Sequence, residues 1–158
     1  MKNKLKNFIS KNYISEEPQG KGAETPMFSY DFSLEDLENY IKIEKNESKF
    51  QKLLLRYIDE RNLKDSEVYN KVHIDRRLFS KIRSDSSYHP SKETILLLGF
   101  SLELTEDEII SLLDSASYSL PKNNYFDLII RFCFAEKIYD IKDINELLNA
   151  YSCKLFSY

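Results

Sequence analysis

The stretch L63-K-D-S-E-V-Y-N-K-V-H-I-D-R-R-L-F-S-K-I-R-S-D85 decides how the rest of the chain reads. Asp65 can cap a short helix over about 66–72, because a short carboxylate side chain accepts from the free N–H groups of a first helical turn. His73 to Asp75 then forms a three-residue turn. Asp75 is placed to cap a second short helix over 76–84, with Leu78, Phe79 and Ile82 on its inner side.

Helical spacing continues outward in both directions. Upstream, Phe50, Leu53, Leu54, Tyr57 and Ile58 fall on one stripe and predict a helix over 47–61. Ser33 with Asp36 reads as a capping box opening a helix over 34–45, whose apolar positions are Leu34, Leu37, Tyr40 and Ile41. Downstream, Pro90 and Ser91 mark a turn and a new start. ETILLLGFSLEL (93–104) follows as a nearly all-apolar, buried helix. Thr105 and Glu108 make a second capping box for 106–117, and Pro121 interrupts the chain. NYFDLIIRFCFAEK predicts an apolar helix over 123–137. Asp140 caps a last one over 141–150, with Ile141, Ile144, Leu147 and Leu148 inward. Residues 1–15 are lysine-rich and suit a short helix against a partner, or none. Residues 16–31 hold two of the four prolines and two of the three glycines, which is linker composition.

Composition narrows the function classes. The 158 residues are 42% hydrophobic and 31% charged, the balance of a globular domain. Three glycines are too few for a hairpin-rich β fold, and no Gly-rich phosphate loop is present. No apolar run reaches the roughly 18 residues of a membrane span, and the N-terminus lacks a signal-peptide core, so a cytoplasmic chain is expected. Cys133 and Cys153, with His73 and His89, have no metal-ligand spacing, so neither metal nor cofactor is expected. Glu106, Asp107, Glu108, Asp140 and Asp143 fit helix N-termini better than a catalytic carboxylate pair, so the chain reads as non-enzymatic.

Charge is uneven. The chain carries a net −3, yet residues 71–92 hold six basic side chains against Asp75 and Asp85. That local excess of +4 leaves −7 for the remainder. The net charge argues against a dedicated nucleic-acid binder, and the basic segment reads either as a polyanion-binding face or as the solvated face of a short helix. The aromatics Tyr125, Phe126, Phe132 and Phe134 leave their helix little polar surface. Either they are sandwiched in the core, or they form a patch for a partner or a second copy.

The order of these helices resembles the Cro/repressor (XRE-like) helix-turn-helix family. LKDSEVYNKVHIDRRLFSKIRSD is similar to its helix-turn-helix, and HPSKETILLLGFSLELTEDEIISLL to its next two helices. Over about 47–156 the chain also resembles a helical C-terminal module of Gram-positive bacterial proteins, appended to macro domains among others. The resemblance implies an all-α fold: a mobile N-terminal arm and linker (1–31), an accessory helix (32–46), a five-helix core (47–120) and a two-helix extension (121–158). It also implies that Arg76, Arg77, Ser80 and Lys81 face base edges, while Lys71, Arg83, Ser91 and Lys92 contact phosphates. Three positions depart from the family pattern. Asp65 or Ser66 stands where glutamine grips phosphate, Tyr69 where a small alanine allows a close crossing, and His73 where glycine opens the turn. The expected function is a nucleic-acid-binding transcription regulator acting on duplex DNA, dimeric through its last two helices. The alternative is a helical adaptor that keeps the fold and reads protein.

Overall fold

The computed structural model describes residues 1–14, 33–46 and 49–157. Among them the chain is all-helical: α1 Lys2–Asn12, α2 Leu34–Asn46, α3 Lys49–Glu60, α4 Asp65–Lys71, α5 Arg76–Ser84, α6 Lys92–Ser101, α7 Glu106–Ser115, α8 Tyr125–Ala135 and α9 Ile141–Ala150. The linker expected over 16–31 lies outside the described residues. None of the described helices is long and apolar enough to cross a membrane.

The core is built around α6, in which Ile95 to Ser101 are buried without interruption. An all-apolar helix can be stable only when neighbours surround it, and here α4 and α7 pack on it. Phe100 stacks on Phe134 of α8 at 4.5 Å between ring centroids. Gly99 marks the closest approach, since a Cβ there would lie 2.6 Å from Ile109 Cδ1 and 3.1 Å from Phe134 Cζ. Ser101 is buried, but its hydroxyl donates to the Val68 carbonyl and ties α6 to α4. On the other side α3 packs on α7, where the Arg61 guanidinium grips Glu108 at 2.8 and 3.1 Å.

Capping follows the sequence in most places. Ser33, Asp75, Ser91, Thr105 and Asp140 each accept from the first turn of the following helix. One cap is corrected. Asp65 is not the N-cap of α4 but its first residue. Lys64 occupies the cap position, and its backbone N–H is satisfied by the Glu67 carboxylate at 2.7 Å. The helix therefore begins one residue earlier, with Asp65 free to reach elsewhere.

A second correction concerns the N-terminus. Residues 2–12 are not a mobile arm but a helix seated on α8, with Leu5 and Ile9 buried and Phe8 edge-on to Phe132. Leu5, Phe8 and Ile9 have the i, i+3, i+4 spacing of one helix face, but they fill only about one turn among four lysines, which makes the stripe short. The C-terminal tail is also docked. Phe156 is buried against Phe100, and its backbone pairs twice with the Asn145 side chain at 2.8 Å.

The scarcity of glycine has a structural counterpart. Asn62, His73, Glu103, Ser117, Lys137 and Ser152 adopt positive φ, between 52° and 65°. Each follows a helix. The next residue's N–H reaches back five positions to a helical carbonyl, as in Ile74 to Tyr69 at 2.9 Å and Ile138 to Cys133 at 2.8 Å. These are Schellman closures, which usually place glycine at the left-handed residue. Here buried or half-buried residues on the far side, such as Ile74, Leu104 and Ile138, hold the conformation instead.

Candidate nucleic-acid interface

The basic segment begins with α4, a seven-residue helix with Val68 buried and Tyr69 half-buried. It closes at His73, whose φ of 57° supplies the left-handed turn expected of a glycine. Extended backbone at Asp75 then turns the chain into α5, and the Asp75 carboxylate accepts from the Arg77 backbone N–H at 2.7 Å. Phe79 and Ile82 bury one side of α5. Tyr69 and Phe79 meet at 5.5 Å between centroids, so the bulky residue at the helix crossing is absorbed by an aromatic contact. The far end of α5 is anchored by α3, where the Gln51 amide donates to the Ile82 and Arg83 carbonyls.

With Phe79 and Ile82 inward, helical spacing turns positions 76, 77, 80, 81 and 84 outward together. All five residues are exposed. Among the described residues, no ion pair or hydrogen bond engages the side chains of Arg76 or Arg77. The Lys81 ammonium sits 4.6 Å from the centre of the Tyr88 ring in a cation–π contact, and the residue remains exposed. The nearby Asp85 carboxyl is held below its ordinary range by hydrogen bonds from Ser87, so it stays ionised beside this cluster.

The residues assigned to phosphate behave differently. Arg83 is bound by Asp65 at 2.9 Å, which links the start of α4 to the end of α5. Lys71 lies 3.4 Å from Glu103. Lys92 is held by Asp127 at 2.7 Å, and that carboxylate is only 7% exposed. Lys92 is thus half-buried in an ion pair, and any phosphate would compete with Asp127 for it. A buried carboxylate without a cation would be costly, so the pair is structural. Ser91 is exposed but spends its hydroxyl on the Thr94 backbone N–H and hydroxyl.

The aromatic patch divides as well. Phe132 and Phe134 are buried within the chain, under α1 and on α6 respectively, so they are not a partner surface. Phe126 is half-buried, and Tyr125 remains exposed between Tyr13 and Tyr151. Three contributors were not legible beforehand: Gln51, Tyr88 and Asp127. Each acts across 7 to 35 positions of sequence, and no local pattern announces such a contact. Compared with family models, curated proteins and solved structures, the chain gives no match.

Proposed function

We propose that α3 to α7 form a Cro/repressor-like core in which α4, the His73–Asp75 turn and α5 act as a helix-turn-helix on duplex DNA. The chain would then be a non-enzymatic regulator. The observation that carries this reading is the outward face of α5. It presents Arg76, Arg77, Ser80 and Lys81 together, with both arginines unengaged among the described residues, on a helix braced by α3 and α4. Arginine suits the O6 and N7 acceptors of guanine, and a pre-set face loses little freedom on binding. Arg83 and Lys71, which are paired at the surface, contribute less, since an internal carboxylate already satisfies them.

An adaptor role is the second reading. The internal engagement of Lys71, Arg83 and Lys92 favours it, because it leaves only three strong cations on the face. Salt dependence separates the two. If Arg76, Arg77 and Lys81 each neutralised a phosphate, the slope in log K against log salt would be about −2.7 per chain, and every one that reads a base edge instead makes it shallower. Fluorescence anisotropy with random and genomic duplexes at two salt concentrations measures this slope. Replacement of Arg76, Arg77 and Lys81 by alanine should flatten it and abolish binding. Salt-insensitive binding, or none by a folded protein at low salt, would refute the DNA reading and leave the adaptor.

A further inference from the structure

Asp65 and Arg83 meet across an open cleft between α4 and α5. Lys64, Ser66, Arg76 and Ser80 line the same cleft. Arg76, Ser80 and Arg83 fall at i, i+4 and i+7, so one ridge of α5 faces the start of α4. Guanidinium, ammonium and hydroxyl groups in one concave face suit a phosphate diester. The Asp65 carboxylate lies among them and already holds one of the guanidiniums.

Asp65 has no capping duty. The Lys64 backbone N–H is taken by the Glu67 carboxylate at 2.7 Å. Among the described residues, the Asp65 carboxylate engages Arg83 Nη1, at 2.9 Å. The side chains of Arg83 and Asp65 are 46% and 37% exposed. An ion pair that open to water adds little to the fold, so it can part at little cost. The Lys92–Asp127 pair differs, because its carboxylate is buried. The backbone at Arg83 is held independently of its side chain, since the Gln51 amide donates to the Ile82 and Arg83 carbonyls. Position 83 therefore stays at the cleft when its guanidinium lets go.

We infer that Asp65 is a built-in competitor for phosphate. It occupies Arg83 in the free protein, and a backbone phosphate of the duplex displaces it. The inference rests on the DNA reading of α5 and adds a brake to it. The brake lowers affinity for every duplex alike, because a phosphate carries no base identity.

Fluorescence anisotropy on one duplex at about 50 and 200 mM salt tests it with Asp65→Asn. This variant should bind about threefold tighter or more at the lower salt, and its slope in log K against log salt should steepen by about 0.9. Adding Arg83→Ala to Asp65→Asn should return the slope to that of the wild type. Asp59→Asn removes the same charge from the same cleft but releases no cation held among the described residues, so its slope should match the wild type. The melting temperature should hold in all of these variants, because the pair is exposed. Magnetic resonance of the Arg83 guanidinium reads the pair without DNA: its rotation should be slow in the wild type and released in Asp65→Asn. A wild type that binds while Asp65→Asn binds no better would overturn the brake and leave the DNA reading standing. So would an equal gain in Asp59→Asn, a steeper slope that survives the loss of Arg83, or a freely rotating Arg83 in the wild type. Absence of binding by both the wild type and Asp65→Asn at low salt, with the pair visible by magnetic resonance, would overturn the DNA reading and the brake with it.

Discussion

Replacing Lys92 with methionine tests whether this residue belongs to the fold or to a binding face. The ammonium of Lys92 lies 2.7 Å from Asp127 Oδ1, with side chains 28% and 7% exposed. The other carboxylate oxygen accepts from the Asn124 amide at 2.7 Å. Methionine keeps the apolar stem but leaves a buried carboxylate with one neutral donor. Breaking a fully buried pair costs about 3–5 kcal/mol. Lys92 is partly open to water, which can reach the orphaned oxygen, so about 2 kcal/mol is expected here. In a chain of this length that lowers the melting temperature by about 4–8 °C. Urea unfolding followed by circular dichroism measures the loss. The double variant Lys92→Met with Asp127→Asn should lose clearly less than the two single losses combined, because no unpaired charge remains. A midpoint unchanged by Lys92→Met would refute the reasoning. So would a nucleic-acid affinity that falls while stability holds, which would restore Lys92 to the binding face.

Gly99→Ala should destabilise by about 1–2 kcal/mol despite alanine's better helix propensity, because the new Cβ meets Ile109 and Phe134. Adding Ile109→Val, which removes Cδ1, should recover part of the loss in the same unfolding assay. Lys137→Gly should stabilise by about 0.5–1 kcal/mol, since glycine removes the strain of φ 57° at an exposed helix end. Burial raises the Glu108 pKa, but hydrogen bonds from Thr105 and the Arg61 guanidinium outweigh it and hold the net value below 4.5. A depressed carboxylate stabilises the fold above its unfolded pKa and loses that contribution as pH falls through the folded value. Stability should therefore drop with acid below about pH 4.5, and Glu108→Gln should flatten that limb of the pH–stability curve.

Much of the helix layout was legible because its signals are local. The apolar stripe at Phe50, Leu54, Tyr57 and Ile58 is buried as its spacing predicts, and the Thr105–Glu108 capping box has both its bonds. The face of α5 was legible for the same reason. Phe79 and Ile82 must point inward, so Arg76, Arg77 and Lys81 must point out. The same logic failed for α1, where Leu5 and Ile9 are too sparse to declare a buried face among lysines. Capping geometry failed at Asp65, because aspartate also suits the first turn of a helix, where it completes the dipole.

The sequence by itself determined an all-helical chain, the ends of most of its helices and the location of its basic segment. These depend on residues within about four positions of one another, where helical geometry makes the outcome local. Tertiary structure alone decided which charges are available and which apolar faces are covered. Lys92 and Arg83 look like Arg76 and Arg77 in the chain, but folding brings Asp127 and Asp65 to the first two and, among the described residues, no carboxylate to the others. Phe132 and Leu37 both read as apolar helix positions, yet α1 covers one while the other stays in water. Pairing and burial are set by where distant helices pack, and no neighbouring residue encodes that.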